Sequence, residues 1–410
     1  MPIPKKRHPD RRAPVTDRFF CPCPRGLEPA LAAEFDEFGF RDIEETPGGV
    51  GFRGGWPECY RANLWSRVAS RVLWQVGHAR YRDEDDIYRA AFALPWPAWF
   101  TVDQTIRVNV SAIASPVRSL EFVTLRVKDA ICDKFRSETD ARPSVDTGAP
   151  DVRIHAFLTR DSVTLYLDTS GEALFKRGSR QTAGEAPLRE NLAAGILRLT
   201  GWRPDEPLLD PMCGAGTFLV EAAQMALGLA PGAGRRFGFE ALKIFDAALW
   251  KQTRAAAMAG PRTDVAPALF GSDIDPAAID ASRENLAAAG VERFVQLQCA
   301  DVASLAPPCG PGVMIANPPY GVRIGDPAEL RALYPKLGDN LKRHFAGWRV
   351  FLFTGDLELP KHIRLKPSRR TPLFNGPLEC RLFEYRMVEG GMRRVKAGED
   401  PPGAEGESAV

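Results

Sequence analysis

The tetrapeptide Asn317-Pro318-Pro319-Tyr320 directly follows an apolar run, Val313 to Ala316. A short apolar run of this kind reads as a buried strand. The tetrapeptide then stands at a strand's carboxyl end, where doubly wound sheets bind ligands. Two prolines fix the backbone and remove two N–H donors, so carbonyls face the site without competing donors. The Asn317 side-chain oxygen and the Pro318 carbonyl can each accept one N–H of an amino group. An exocyclic amine on a base is a poor nucleophile, because its lone pair is delocalised into the ring. Holding both protons out of the ring plane turns the lone pair toward an electrophile, a gain from positioning and electrostatics. Tyr320 offers a face on which an extruded base can stack. No tuned general base is required, in keeping with five histidines in 410 residues. Taken alone, the tetrapeptide could also be a plain turn between a strand and a helix.

The electrophile is suggested by a second stretch, Leu208-Leu209-Asp210-Pro211-Met212-Cys213-Gly214-Ala215-Gly216-Thr217. An apolar strand runs into an acid, then into a GxG turn that opens a helix. Glycines let the backbone approach a ligand with no Cβ in the way, and the helix start presents free N–H groups. Many nucleotide folds contain a GxG, so the acids that follow carry the weight. Asp273 ends the next strand and can accept from ribose hydroxyls. Asp301 ends the strand after that and can accept from an adenine amino group. Asp275 precedes Pro276 and caps a helix instead. Three carboxylates at three successive strand ends are poorly explained as unrelated caps. No GxxxxGK[ST] is present, so a P-loop is excluded. One GxG preceded by an acid favours a cationic sulfonium cofactor, S-adenosylmethionine, over a pyrophosphate. Asp210 would face its ammonium group.

The elements that must position these residues alternate along the second half of the chain. The spacing predicts helices over Leu188–Leu199, Thr217–Ala226, Phe239–Met258, Pro276–Ala289 and Glu329–Phe345. Strands are expected at Leu208, Ala268–Ser272, Phe294–Gln298, Val313–Ala316 and Trp348–Thr354, with a late pair around Asn375-Gly376. This order implies a doubly wound, mostly parallel α/β sheet. Before it, Phe19–Gly54 reads as strand, helix, strand. Helices are expected over Tyr60–Val76, Ile87–Ala93 and Thr124–Arg136, with strands at Thr105–Ser111, Val152–Leu158 and Ser162–Leu167. That alternation suggests an α/β or α+β unit. Thr169–Pro187 reads as a linker. The first 17 residues form a basic leader, and residues 390–410 a Gly-, Pro- and Glu-rich tail expected to be disordered.

Composition narrows the class. No run of eighteen apolar residues exists, so no membrane span and no membrane partner are expected, and the leader has no apolar core of a secretory signal. Eight scattered cysteines contain no CxxC pair; no metal site is expected, and free thiols fit a cytoplasmic location. A net charge of +2 gives no global basic excess for nucleic acid. Local clusters remain, at Lys176, Arg177 and Arg180, and at Lys361, Arg364, Lys366, Arg369 and Arg370.

The three acidic and prolyl motifs together resemble class I methyltransferases that act on amino nitrogens. More narrowly, the chain resembles the bacterial 23S ribosomal RNA guanine-N2 methyltransferases that carry a THUMP domain. Pro24-Arg25-Gly26-Leu27-Glu28 is similar to the start of their ferredoxin-like domain. Trp65-Ser66-Arg67-Val68-Ala69-Ser70-Arg71 and Val127-Lys128-Asp129-Ala130-Ile131 are similar to their THUMP segment. Asp168-Thr169-Ser170-Gly171-Glu172, Lys176-Arg177-Gly178 and Ala186-Pro187-Leu188-Arg189-Glu190 resemble the passage into the catalytic domain, and Asn375-Gly376-Pro377-Leu378-Glu379-Cys380 the final strand pair.

The resemblance implies a ferredoxin-like domain over 18–55, a THUMP RNA-binding domain over 56–168 and a Rossmann-like methyltransferase domain over 188–389. It implies that Asp210, Met212, Cys213, Gly214, Gly216 and Thr217 hold S-adenosylmethionine together with Asp273, Ile274, Asp301 and Val302. Asn317 to Tyr320 would hold the base, and Lys176, Arg177 and Arg180 would meet structured RNA, namely 23S ribosomal RNA or a large-subunit assembly intermediate. No obligate protein partner is expected. Some relatives carry a second methyltransferase domain; with Val410 as the last residue, that activity is expected to be absent or encoded elsewhere. Ser179 stands where an aromatic is common. Transfer RNA guanine-N2 methylation is the nearest competing function, and a non-catalytic ribosome assembly factor the competitor from another class.

Overall fold

The computed structural model describes residues 17–178, 188–258, 262, 266–319 and 327–389. The leader before Asp17, the tail, Ser179, Arg180 and Tyr320 lie outside the described residues.

The first part comprises β1 (Asp17–Pro22), α1 (Glu28–Glu37), β2 (Arg41–Thr46), β3 (Gly49–Gly54), α2 (Trp56–Trp65), β4 (Leu73–Arg80), α3 (Glu84–Phe92), α4 (Trp96–Trp99), β5 (Ile106–Ala112), α5 (Leu120–Thr139), β6 (Val152–Leu158) and β7 (Ser162–Asp168). Its strands form a single sheet in the order β2-β3-β1-β4-β7-β6-β5. β1 pairs with β4 through Phe19–Trp74 and Phe20–Leu73, and β4 continues into β7. No break in hydrogen bonding therefore separates the ferredoxin-like strands from those that follow.

Two expectations fail here for physical reasons. β2, with sequence RDIEET, has no apolar alternation and is exposed along most of its length. It is an edge strand, and edge strands carry charge to discourage further pairing. The helix expected over Tyr60–Val76 stops at Trp65. The buried Glu34 carboxylate accepts from the Ser66 hydroxyl (2.6 Å) and the Arg67 N–H (2.9 Å), which draws the chain out of the helix before β4.

The second part comprises α6 (Glu190–Thr200), β8 (Leu208–Asp210), α7 (Thr217–Ala226), α8 (Ala247–Ala257), β9 (Leu269–Asp273), α9 (Pro276–Ala288), β10 (Val295–Cys299), β11 (Val313–Ala316), α10 (Pro327–His344), β12 (Arg349–Thr354), α11 (Leu359–His362), β13 (Arg369–Asn375) and β14 (Leu378–Arg386). The order is β10-β9-β8-β11-β12-β14-β13. The first five strands run parallel, and β14 lies antiparallel to both β12 and β13. β8 and β11 are buried throughout, as strands covered on both faces must be. The chain winds outward from β8 to β10 and then returns to β11. The carboxyl ends of β8 and β11 therefore flank the topological switch point, where such sheets bind ligands.

The single helix expected over Phe239–Met258 is also corrected. Gly238–Ala241 is one 3-10 turn, and the chain straightens at Leu242. The Lys243 N–H and Nζ donate to the carbonyls of Trp99 (2.8 Å) and Pro97 (2.7 Å). α8 then restarts at Asp246, whose carboxylate accepts from the Ala248 and Leu249 N–H groups. That capping restart is favourable at an Asp.

Candidate active site

Asp210 ends β8 and is almost fully buried. Its Oδ1 accepts from the Met212 N–H at 3.3 Å, and no cation faces it among the described residues. Burial holds its carboxyl well above the usual carboxylate range; the Met212 N–H offsets part of this, and the Asp273 charge adds to it. The turn that follows has Gly214 at φ +52° and Gly216 at φ +75°, left-handed values that cost any residue with a Cβ. A Cβ on Gly216 would press against the Ser282 hydroxyl at 3.0 Å, whereas one on Gly214 would meet nothing within 4 Å. Gly216 is thus required by packing, and Gly214, whose N–H meets the Asp273 carboxylate, borders open space.

Two α9 side chains that sequence reasoning did not single out hold this turn. The Ser282 hydroxyl donates to the Gly214 carbonyl (2.7 Å), and Asn285 Nδ2 donates to the Ala215 carbonyl (3.0 Å). They stand one helical turn apart (i, i+3), so both face the same turn. Cys213 is buried with its thiol beside the Ser282 hydroxyl at 3.5 Å, and burial pushes that thiol up. Its side chain belongs to the core, so it can serve a ligand only through the backbone. Thr217 opens α7 directly after Gly216.

Asp273 lies at the end of β9. One oxygen accepts from the Gly214 N–H (2.9 Å) and the other from the Asp275 N–H (3.1 Å). Each oxygen keeps a lone pair for a further donor. Asp275 caps α9 through the Ala277 N–H at 2.9 Å, as read from the sequence. Ile274 is 69% exposed between them. Asp301 is exposed just beyond β10, with Oδ1 accepting from the Ala303 N–H at 2.8 Å. Val302 is buried, and Asn340 Nδ2 of α10 donates at 2.9 Å to the carbonyls of both Val302 and Leu305. Asn340 therefore fixes this loop from below.

Asn317 sits immediately beyond β11, next to the end of β8. Its Oδ1 is buried and has no hydrogen-bond partner among the described residues. Buried acceptors are rarely left unpaired, so this one marks a place built for a donor that arrives from outside. Pro318 is buried and Pro319 half-buried. Tyr334 of α10 donates its hydroxyl to the Pro319 carbonyl at 3.3 Å. Burial pushes the Tyr334 phenol up to about 12, with the Asp356 charge adding to it, so it stays a donor at neutral pH. Tyr334 was not visible as a site residue, because it arrives from a helix rather than from the motif.

The structure corrects one expected RNA contact. The Arg177 side chain is only 3% exposed, and its Nε pairs with Glu221 Oε1 at 3.1 Å. The same guanidinium donates to the carbonyls of Leu174 and Arg67. Glu221, on α7, also accepts from Arg67 at 3.3 Å. Arg177 is thus spent on joining the first sheet to the cofactor helix and cannot face RNA. Lys176 is exposed and pairs with Glu172 at 2.8 Å.

The cleft fits S-adenosylmethionine. A buried carboxylate without a cation would meet an ammonium, Asp273 has lone pairs for hydroxyls, and open space adjoins Gly214. Residues 177–384 match the family described as RMKL-like, methyltransferase domain. The chain belongs to that family. Within it, residues 81–168 match the THUMP domain and residues 18–73 the RlmL ferredoxin-like domain. A relative in Psychromonas ingrahamii, named ribosomal RNA large subunit methyltransferase K/L, is 40% identical over 90% of this chain and 50% of its own length. The chain thus spans about half the length of the curated relatives it matches. The solved structure of SMU.472, a putative methyltransferase complexed with SAH, superposes with a TM-score of 0.83 at 29% identity, covering 92% of this chain and 99% of that one. A Listeria monocytogenes protein described as a predicted N6-adenine-specific DNA methylase is 30% identical, with a TM-score of 0.81, over 91% and 96% of the two chains.

Proposed function

We propose that this RMKL-like methyltransferase transfers a methyl group from S-adenosylmethionine to the exocyclic N2 of a guanine in 23S ribosomal RNA. The observation that carries the reading is the buried, unpartnered Asn317 Oδ1 beside the β8–β11 switch point. An amine is the donor that such an acceptor lacks. The THUMP match and the K/L relatives support ribosomal RNA as the bearer of that amine.

S-adenosylmethionine, when bound, supplies a methyl group on a cationic sulfur. The protein does the rest by position. Asp210 faces the ammonium, Asp273 accepts from the ribose hydroxyls, and Ile274 gives an apolar face for the adenine. Asp301 and the Val302 backbone close the adenine end. Asn317 Oδ1 and the Pro318 carbonyl each accept one proton of the target amine, so that its lone pair points at the methyl. Tyr334 holds the Pro319 carbonyl and keeps the motif rigid. As the N–C bond forms, the S–C bond of the bound cofactor would break to leave a neutral thioether, and the methylated nitrogen, now cationic with one proton in excess, would release that proton to solvent. Lys176 and Arg180 remain the RNA contacts proposed from the sequence, and Tyr320 the stacking face for the base. The substrate puts the activity in the cytoplasm.

The test is transfer of labelled methyl from S-adenosylmethionine to separated large-subunit, small-subunit and transfer RNA, followed by nucleoside analysis. N2-methylguanosine in large-subunit RNA is expected. N6-methyladenosine would overturn the base assignment, and label confined to transfer RNA would overturn the substrate.

A further inference from the structure

The motif Pro24-Arg25-Gly26-Leu27-Glu28 is not used by the chemistry above, yet it lies against the catalytic sheet. Gly26, at φ +90°, approaches β13 so closely that a Cβ would fall 2.4 Å from the Pro372 carbonyl oxygen. Leu27 fills a notch over α6 that exists because residue 195 is glycine; a Cβ there would lie 2.3 Å from the Leu27 side chain. The loop is therefore clamped onto the second sheet, and Arg25 is carried with it. The Arg25 guanidinium stacks over the Phe374 ring at 4.3 Å from its centroid.

Arg25 is exposed and has no carboxylate partner or hydrogen-bond acceptor among the described residues. The nearest acid in the sequence, Glu28, makes no pair with it and is held toward the turn instead. Its two oxygens accept from the Gly26 N–H (2.6 Å) and the Gly48 N–H (2.8 Å). A planar cation fixed by stacking, with its edge donors unused, is in the posture that binds phosphate.

Strand register gives its position relative to the chemistry. Ala316 is level with Leu352, Phe383 and Arg370 across β11, β12, β14 and β13. Phe374 is four residues beyond Arg370, whereas Asn317 is one beyond Ala316. The β13–β14 hairpin thus overhangs the site by three residue steps, about 10 Å, and stands three strand spacings, about 14 Å, to its side. Phe374 and the Arg25 stacked on it thus stand roughly 17 Å from Asn317, on the side of the sheet's carboxyl ends. Arg369 and Arg370, both exposed and without ion pairs among the described residues, continue the cationic edge along β13.

We propose that Arg25, stacked on Phe374, binds a backbone phosphate of the substrate RNA a few nucleotides from the target base. This rests on the proposed RNA reading. It makes the seam between the two sheets part of the RNA path, with the ferredoxin-like domain supplying a residue to that path.

The experiment measures methyl transfer to a large-subunit RNA transcript by the full chain over a range of KCl. Arg25→Ala is expected to raise the KM for RNA about threefold to tenfold, with kcat and the KM for S-adenosylmethionine unchanged. The slope of log kcat/KM against log salt should fall by about 0.7 to 0.9, the signature of one lost phosphate contact. Phe374→Leu should raise the KM while leaving the slope intact, since the charge remains but is no longer held. If Arg25→Ala melts earlier than wild type, Arg25→Gln, which keeps a polar side chain without the charge, decides by the same slope. Wild-type KM and slope in a folded Arg25 variant would overturn this proposal alone. Absence of methyl transfer to any RNA by the wild-type chain would overturn the proposed function and this inference with it.

Discussion

Replacing Asn317 by alanine separates stability from catalysis. Asn317 is half-buried and its Oδ1 has no partner among the described residues. Replacing it by alanine therefore strands no buried donor or acceptor and removes little packing. The stability of Asn317→Ala is expected within about 1 kcal/mol of wild type. The transition from amine to alkylated amine is where the lost acceptor matters. One preorganised hydrogen-bonding group aimed at developing charge is worth roughly 10²–10³ in rate. We therefore expect unchanged melting, unchanged S-adenosylmethionine affinity by calorimetry, and a single-turnover methyl-transfer rate lower by about two to three orders of magnitude. A rate within threefold of wild type would refute the positioning role of Asn317. So would a rate loss that merely follows a loss of fold or of cofactor binding.

Asp210 should make cofactor binding depend on pH. Its carboxyl sits above the usual range because of burial and Asp273, so in the ligand-free protein its contribution to stability is full below the unfolded value and is lost as pH rises through the folded one. An ammonium ligand favours the ionised form; affinity should thus rise with pH across that window, with proton release visible by calorimetry in buffers of different ionisation enthalpy, and Asp210→Asn should abolish the dependence and weaken binding about 10- to 100-fold. Glu221→Gln would leave Arg67 and Arg177 without their buried counter-charge and is expected to cost about 3–5 kcal/mol, read by chemical denaturation; a loss below about 1 kcal/mol would show that the cluster is dispensable. Gly214→Ala should fold with a modest cost of about 1 kcal/mol from its left-handed φ, yet lose cofactor binding because its methyl enters the open space at the turn; retention of wild-type affinity would show that the cofactor avoids that space. Tyr334→Phe removes the hydroxyl on the Pro319 carbonyl and should lower kcat several-fold with little change in KM, measured under saturating RNA.

Much of the catalytic half was legible in the chain because its signals are local. β8, β11 and α7 follow from short apolar runs and a glycine turn, and Asp275 capping α9 follows from an Asp-Pro pair. The errors arose where tertiary contacts overrode local periodicity. β2 pairs as a charged edge with nothing in its own pattern to announce it. Lys243 is pulled to the carbonyls of α4, which splits an otherwise continuous helical reading. Ser282, Asn285, Tyr334 and Asn340 support the site from helices, and no motif spacing connects them to it.

By itself the sequence determined the strand–helix alternation around the site, the acid–glycine turn and the Asn-Pro-Pro motif, because each depends on neighbours within a few residues. Only the tertiary structure decided which charges are available. Arg177 looked like a surface cation from its neighbours Lys176 and Arg180, yet a carboxylate on α7 buries it. Arg25 has Glu28 three residues on, yet that carboxylate is held toward two backbone N–H groups and forms no pair with it among the described residues. Whether a charge meets solvent, a partner or a ligand depends on groups far away in the chain, and its desolvation and pairing are fixed only when the sheets come together.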